Sequence, residues 1–172
     1  MKGLPESPAS YFQKFDTAPV TIRPFDPRST DVAAEYLAKL RGLFGDLDTE
    51  LAHRGSTAFG IAGKGDVEIG VYPADEAWGE VLERLEGCCG QAGNAEENYV
   101  RFNDAVGEYE IEVIVLRGHE ARVDKRLTAY LSGHAELLGE YEEIKRKHAY
   151  SKREYQRAKD RFLRAVVEMM PE

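Results

Sequence analysis

Cysteine is scarce in this chain: two of its 172 residues, adjacent as Cys88-Cys89. Neighbours in sequence cannot build a disulfide framework and lie outside any zinc-ligand spacing, so the pair reads as packing residues and the expected home is a reducing cytoplasm. Long apolar runs are also missing. Nothing approaches the roughly 20 residues that cross a bilayer, and the opening MKGLPESPASYFQKF lacks the apolar core of a secretory signal, so no membrane partner is expected. An excess of positive charge is absent too: 23 Lys and Arg stand against 31 Asp and Glu, a formal net charge of -8. Surfaces that track a phosphate backbone are basic, which argues against long nucleic acid as a partner. No internal repeat, low-complexity segment or long linker interrupts the chain. What remains is 42% hydrophobic and 31% charged, the ordinary make-up of a globular unit with a substantial core.

The charge that is there is unevenly placed. Residues 122–164 carry 12 Lys/Arg against 7 Asp/Glu, so a basic tail faces an acidic remainder, an asymmetry suited to a ligand that carries both a metal and phosphate. Periodicity separates the same two regions. APVTIRPFDPRS reads as a short strand entering a Pro-bounded turn, with Ser29 or Thr30 capping a helix whose apolar residues Ala33, Tyr36, Leu37, Leu40, Leu43 and Phe44 recur near 3.6 and which Gly45 ends. ELAHRG and DVEIGVY read as strands, ADEAWGEVLERLEG as an amphipathic helix with a glycine stop, and ENYVRFN and EYEIEVIVL as a hairpin joined by DAVG. From Glu120 onward the pattern is helical, broken near Ser132-Gly133 and capped again at Ser151. The expected fold class is α+β: a mixed, mostly antiparallel sheet with flanking helices and a C-terminal helical subdomain. The expected organisation is an N-terminal extension over 1–18, an α/β core over 19–119 and the helical subdomain over 120–172, in one compact unit.

The chemistry concentrates in HRGSTAFGIAGKGDVEIGVY, residues 53–72. Gly55-Ser56 follows a strand, and small residues there let the backbone approach something bulky and anionic. Asp66 and Glu68 alternate on one strand face, which presents two carboxylates side by side to a hard cation such as Mg²⁺ or Mn²⁺. A third carboxylate from a neighbouring strand completes a clamp for metal-assisted phosphoryl transfer. Glu112 is the candidate, and Glu110, two residues away on the same face, is the alternative. Ser56 would offer its hydroxyl to a triphosphate. Lys64 in its Gly-Lys-Gly loop, Arg101 mid-strand, Arg126, and Lys145 and Lys159, each one helical turn after Tyr141 and Tyr155, are the cations that would meet phosphate. His53 reads as a packed strand-end histidine.

The order Gly55-Ser56, Asp66-Val67-Glu68-Ile69, Ile111-Glu112-Val113 resembles the signature of the DNA polymerase beta-like nucleotidyltransferase superfamily, and more narrowly the chain is similar to its GrpB family. VTIRPFDP, HRGSTAFGIAGK and the tail RLTAYLSGHAELLGEYEEIKRKHA with EYQRAK carry that resemblance from about Pro19 to Val167. The chain departs from the family in Ala58-Phe59-Gly60, one residue shorter than the usual run, in Gly65-Asp66 ahead of Glu68, and in having Glu110 and Glu112 where relatives often carry histidines. The resemblance implies a nucleotidyltransferase fold. With the acids it leads to the expectation of a metal-dependent protein that binds a nucleoside triphosphate and transfers its monophosphate to a small-molecule or protein hydroxyl; the alternative is a nucleotide or phosphometabolite binding module without turnover.

Overall fold

Apolar residues at every second position, Val67, Ile69 and Val71, demand a strand buried on one face, and that strand is the second of a five-stranded sheet. The structure, a computed structural model, describes residues 7–171. β1 (Thr49–Arg54) pairs antiparallel with β2 (Val67–Pro73), β2 pairs parallel with β5 (Tyr109–Leu116), β5 antiparallel with β4 (Tyr99–Val106), and the two-residue β3 (Asn94–Ala95) closes the edge. The class is therefore α+β with a mixed, mostly antiparallel sheet. On the apolar face, Val67, Ile69, Val71, Val100, Phe102, Ile111, Val113 and Val115 are buried beneath two helices. α2 (Arg28–Phe44) brings Ala33, Tyr36, Leu40 and Phe44, and α4 (Trp78–Cys89) brings Val81 and Leu85. Each of the larger aliphatic side chains taken out of water there contributes about 1.5–3 kcal/mol.

The opposite face carries Glu68, Gly70 and Tyr72 of β2 beside Glu112, Ile114 and Leu116 of β5. It is part-covered by α5 (Gly118–Ser132), α6 (Ala135–Lys147) and α7 (Lys152–Met169). Ala121 of α5 packs on Tyr72, Ile114 and Leu116. Leu131, Tyr141, Phe162 and Val166 form a separate core between the three helices, against which Phe59 and Ile61 pack from the loop after the one-turn helix α3 (Gly55–Ala58). Ser151 caps α7 by accepting the Glu154 N–H, as its position in the sequence suggests.

Several local readings are corrected. APVTIRPFDPRS forms no strand: Arg23 makes a single bridge to Gly63, because Pro24 and Pro27 have no N–H to continue a ladder. Upstream, this segment runs along the α6–α7 junction through Val20 N–H to the Ala149 carbonyl (2.7 Å) and Lys152 N–H to the Ala18 carbonyl (2.8 Å). Neither Ser29 nor Thr30 caps α2. Asp26 does so, its carboxylate accepting the Arg28 N–H at 3.0 Å, with Pro27 standing where a missing N–H costs nothing. α4 runs past Gly87 and ends before Gly90, and the hairpin turn is Gly107-Glu108, with Gly107 at φ 59°. The short α1 (Ala9–Gln13), on α7, was not anticipated.

Candidate active site

The parallel register of β2 and β5 decides the site. It sets Glu68 opposite Glu112, and Asp66, one step before β2, joins them; one carboxylate oxygen from each of the three lies within 4.8 Å of the others. Glu110 is exposed, opposite Ala105, and the cluster among the described residues is made with Glu112. Gly55 closes the space behind Glu68. Its φ is 76°, and a Cβ there would stand 2.6 Å from Glu68 Oε1, so the turn needs glycine both for its angle and for its closeness.

Lys64 does not point to solvent. Its Nζ lies 2.8 Å from Asp66 Oδ2 and 3.7 Å from Glu112 Oε1. The first contact is an ion pair whose angles are poor for a hydrogen bond, so Asp66 Oδ2 is buried against a charge without a well-aligned donor. A buried carboxylate oxygen without a hydrogen bond, grouped with two more carboxylates of hard-oxygen character, fits Mg²⁺ or Mn²⁺. Burial pushes the Glu112 carboxyl above the usual range. Lys64 and Arg101 oppose that shift, and the neighbouring Glu68 and Asp66 add to it. Arg101 stands on the same face, opposite Ile114 of β5, and its buried Nε has no partner. It makes no ion pair with Glu108 or Glu110 among the described residues.

Ser56 accepts a hydrogen bond from Lys145 Nζ at 2.7 Å, and the same ammonium donates to the Ala62 carbonyl. Lys145 is fully buried. Burial first, and the positive Lys159 second, bring its pKa down to about 8. It therefore stands behind Ser56 rather than on an open phosphate surface, and the Ser56 hydroxyl proton is left without an acceptor among the described residues. Ser56 also lines a cavity of about 250 Å³ with Arg23, Asp26, Arg28, Gly63 and Tyr109. Lys159 lines a smaller cleft of about 80 Å³ with Gly55 and Glu68. Its burial opposes its charge, but the facing Tyr141 and Tyr155 hydroxyls and the Glu68 and Asp66 carboxylates hold its pKa above the ordinary value. Tyr141 itself stacks on Phe162 at 5.1 Å. His53 packs as expected, its Nε2 2.9 Å from Thr57 Oγ1. Arg126 reaches the Pro171 carbonyl.

Three participants escape the sequence reading. Arg54, in register with Glu68, holds Asp124 of α5 at 2.7 Å, and the Tyr72 hydroxyl donates to the same carboxylate at 2.6 Å. The position of Arg54 directly before Gly55 was the available signal. Asp124 had none, because only the docking of α5 brings it to the sheet.

A family profile described as GrpB protein matches residues 19–169. This chain belongs to the GrpB family. Among solved structures, the conserved protein GrpB from Enterococcus faecalis is similar at 14% identity, with a TM-score of 0.69 over 87% of this chain and 96% of that one. The fold is thus that of a second GrpB protein along nearly its whole length. A weaker likeness, with a TM-score of 0.49 and 14% identity, is to Cid1 in complex with its short product ApU, covering 78% of this chain and 42% of that one. No curated protein matches this chain significantly in sequence. No described helix is long and apolar enough to cross a membrane.

Proposed function

We propose that this GrpB-family chain is a metal-dependent, nucleotidyltransferase-like protein of the cytoplasm that binds a nucleoside triphosphate and transfers its nucleoside monophosphate to a hydroxyl of a small molecule or protein. The observation that carries the reading is the convergence of Asp66, Glu68 and Glu112 within 4.8 Å, beside the Gly55-Ser56 turn. Asp66, Glu68 and Glu112 would hold Mg²⁺ or Mn²⁺, which when bound supplies Lewis-acid stabilisation of phosphoryl oxygens. The residues of the chain supply the rest. Ser56, already accepting from Lys145, would have its proton free to donate to a phosphate oxygen. Lys159 and Arg101 flank the carboxylates with positive charge. Glu112, with its raised proton affinity, is suited to take the proton of an acceptor hydroxyl. In this scheme residues 19–119 supply the acids and the turn, and residues 120–172 supply Lys145 and Lys159 as a helical subdomain, with 1–18 as an extension. The overall acidity of the chain favours a small or protein acceptor over long nucleic acid.

A second reading, a nucleotide or phosphometabolite binding module without turnover, is favoured by Lys64, whose ammonium already pairs with Asp66 and lies near Glu112, offsetting part of their charge. Calorimetry with a non-hydrolysable nucleoside triphosphate, with and without Mg²⁺, and pyrophosphate release from the hydrolysable one separate the two. Metal-dependent binding with release supports transfer. Binding without release leaves the module, and no binding removes both.

A further inference from the structure

Cys88 and Cys89 are the last residues of α4, and on the sheet face opposite the three acids they meet Asp104 of β4; one ligand atom from each of the three lies within 4.8 Å of the others. We propose that Cys88, Cys89 and Asp104 form a binding site for a thiophilic divalent cation of the zinc class, independent of the acidic triad. Two sulfurs and a carboxylate oxygen are the donors such an ion prefers, and three protein ligands leave its fourth tetrahedral position to water. Zinc bonds of about 2.0–2.3 Å require the three atoms to close up by about an ångström. The half-buried ends of α4 and β4 allow that adjustment by side-chain rotation.

Two neighbouring features suit the site to a cation, and a third must give way to it. The last carbonyls of α4 give its C-terminus a partial negative charge. The Asp104 carboxylate is already oriented, since Oδ2 accepts the hydroxyl of the fully buried Tyr36 at 2.7 Å and Oδ1 accepts the Ala105 N–H at 2.9 Å. Hydrogen bonds of this kind hold a ligating carboxylate in place. A positive charge also stands at the position: Lys39 Nζ lies 2.9 Å from Asp104 Oδ2, on a side chain 48% exposed. A surface pair of that exposure is weakly held, so Lys39 can yield Asp104 to a divalent ion at little cost. The spacing gave no zinc pattern because the third ligand comes from another element, brought in by the register of β4 on β5.

The test is titration of the reduced full-length protein with Co²⁺, followed by displacement with Zn²⁺. Thiolate-to-cobalt charge transfer in the near ultraviolet, saturating at one equivalent and removed by Zn²⁺, is the expected result. Cys88→Ser and Cys89→Ser should each lose the band, and Asp104→Asn should keep it with about ten-fold weaker binding. Circular dichroism establishes folding of each variant first, and Cys88→Ser with Asp104→Asn decides the matter if Cys89→Ser does not fold. Absence of the band, saturation at half an equivalent, or unchanged affinity in Asp104→Asn would overturn the site. Retention of the signal in Asp66→Asn distinguishes it from the acidic triad; its loss there would overturn the claim of independence.

Discussion

Gly55 and Lys145 set the geometry of the candidate site from opposite sides of Ser56. Replacing Gly55 by valine forces a side chain into φ 76° and against Glu68 Oε1, 2.6 Å from the new Cβ. Backbone strain of that kind costs about 1–3 kcal/mol. Gly55→Val should therefore fold with reduced stability and lose Mg²⁺-triphosphate binding; unchanged affinity by calorimetry would remove the turn from the site. For Lys145 the expected signature is pH dependence. Its pKa of about 8 in the fold lies below the 10.5 of a free lysine, so the unfolded chain binds the proton more tightly. Stability should accordingly rise between about pH 8 and 10.5, by something on the order of 3 kcal/mol from this group. Lys145→Met should flatten that rise relative to the parent in urea melts across the interval, whereas parallel profiles would mean that the lysine is not depressed. The sequence made Ser56, Asp66 and Glu68 legible because they are local: a turn residue and an alternation. It also pointed to Lys145, but as an open phosphate contact. Its full burial behind Ser56 depends on how α6 docks, which no local pattern encodes.

At the scale of elements, the contact that fixes α5 to the sheet is Asp124, taken by Arg54 at 2.7 Å and by the Tyr72 hydroxyl at 2.6 Å. Asp124→Ala leaves a largely buried guanidinium and a hydroxyl without their acceptor, and should cost roughly 2–4 kcal/mol. A loss under about 0.5 kcal/mol in urea unfolding would contradict that role. The β2–β5 pair carries a second expectation. Glu112 has its carboxyl raised in the fold chiefly by burial, so stability falls as pH climbs from the ordinary glutamate value toward the folded one, and the charged form is a burden at pH 7. Glu112→Gln should leave the metal-free protein as stable or more stable at pH 7, with a flatter profile through the acid limb; destabilisation there would make Glu112 a structural acid. Strand and helix types were readable from periods of 2 and 3.6. The segment before α2 is no strand because Pro24 and Pro27 prevent the pairing that its β-branched residues suggest, and β3 is too short to leave a pattern.

For the whole molecule, the acidic sheet region and the basic tail meet at the candidate site: Asp66 and Glu68 at β2 and Glu112 on β5, with Lys145 and Lys159 delivered by α6 and α7. Membership of the GrpB family was legible because VTIRPFDP, the Gly-Ser-Thr turn and the two Tyr-x-x-x-Lys pairs are readable in the primary sequence. The Cys88-Cys89-Asp104 cluster was not, being assembled across elements. The proposed chemistry requires that Asp66, Glu68 and Glu112 hold a divalent ion. Three carboxylates repel one another in the metal-free protein, relieved only in part by Lys64, and a bound cation should stabilise the fold by mass action. The decisive measurement is the thermal midpoint of the parent and of Asp66→Asn and Glu68→Gln, each with and without Mg²⁺ and a non-hydrolysable nucleoside triphosphate. The parent should gain stability with Mg²⁺ and more with both ligands, while the variants should match or exceed the parent without metal and gain nothing when it is added. Variants that lose stability without metal yet keep the full Mg²⁺ response would contradict the claim.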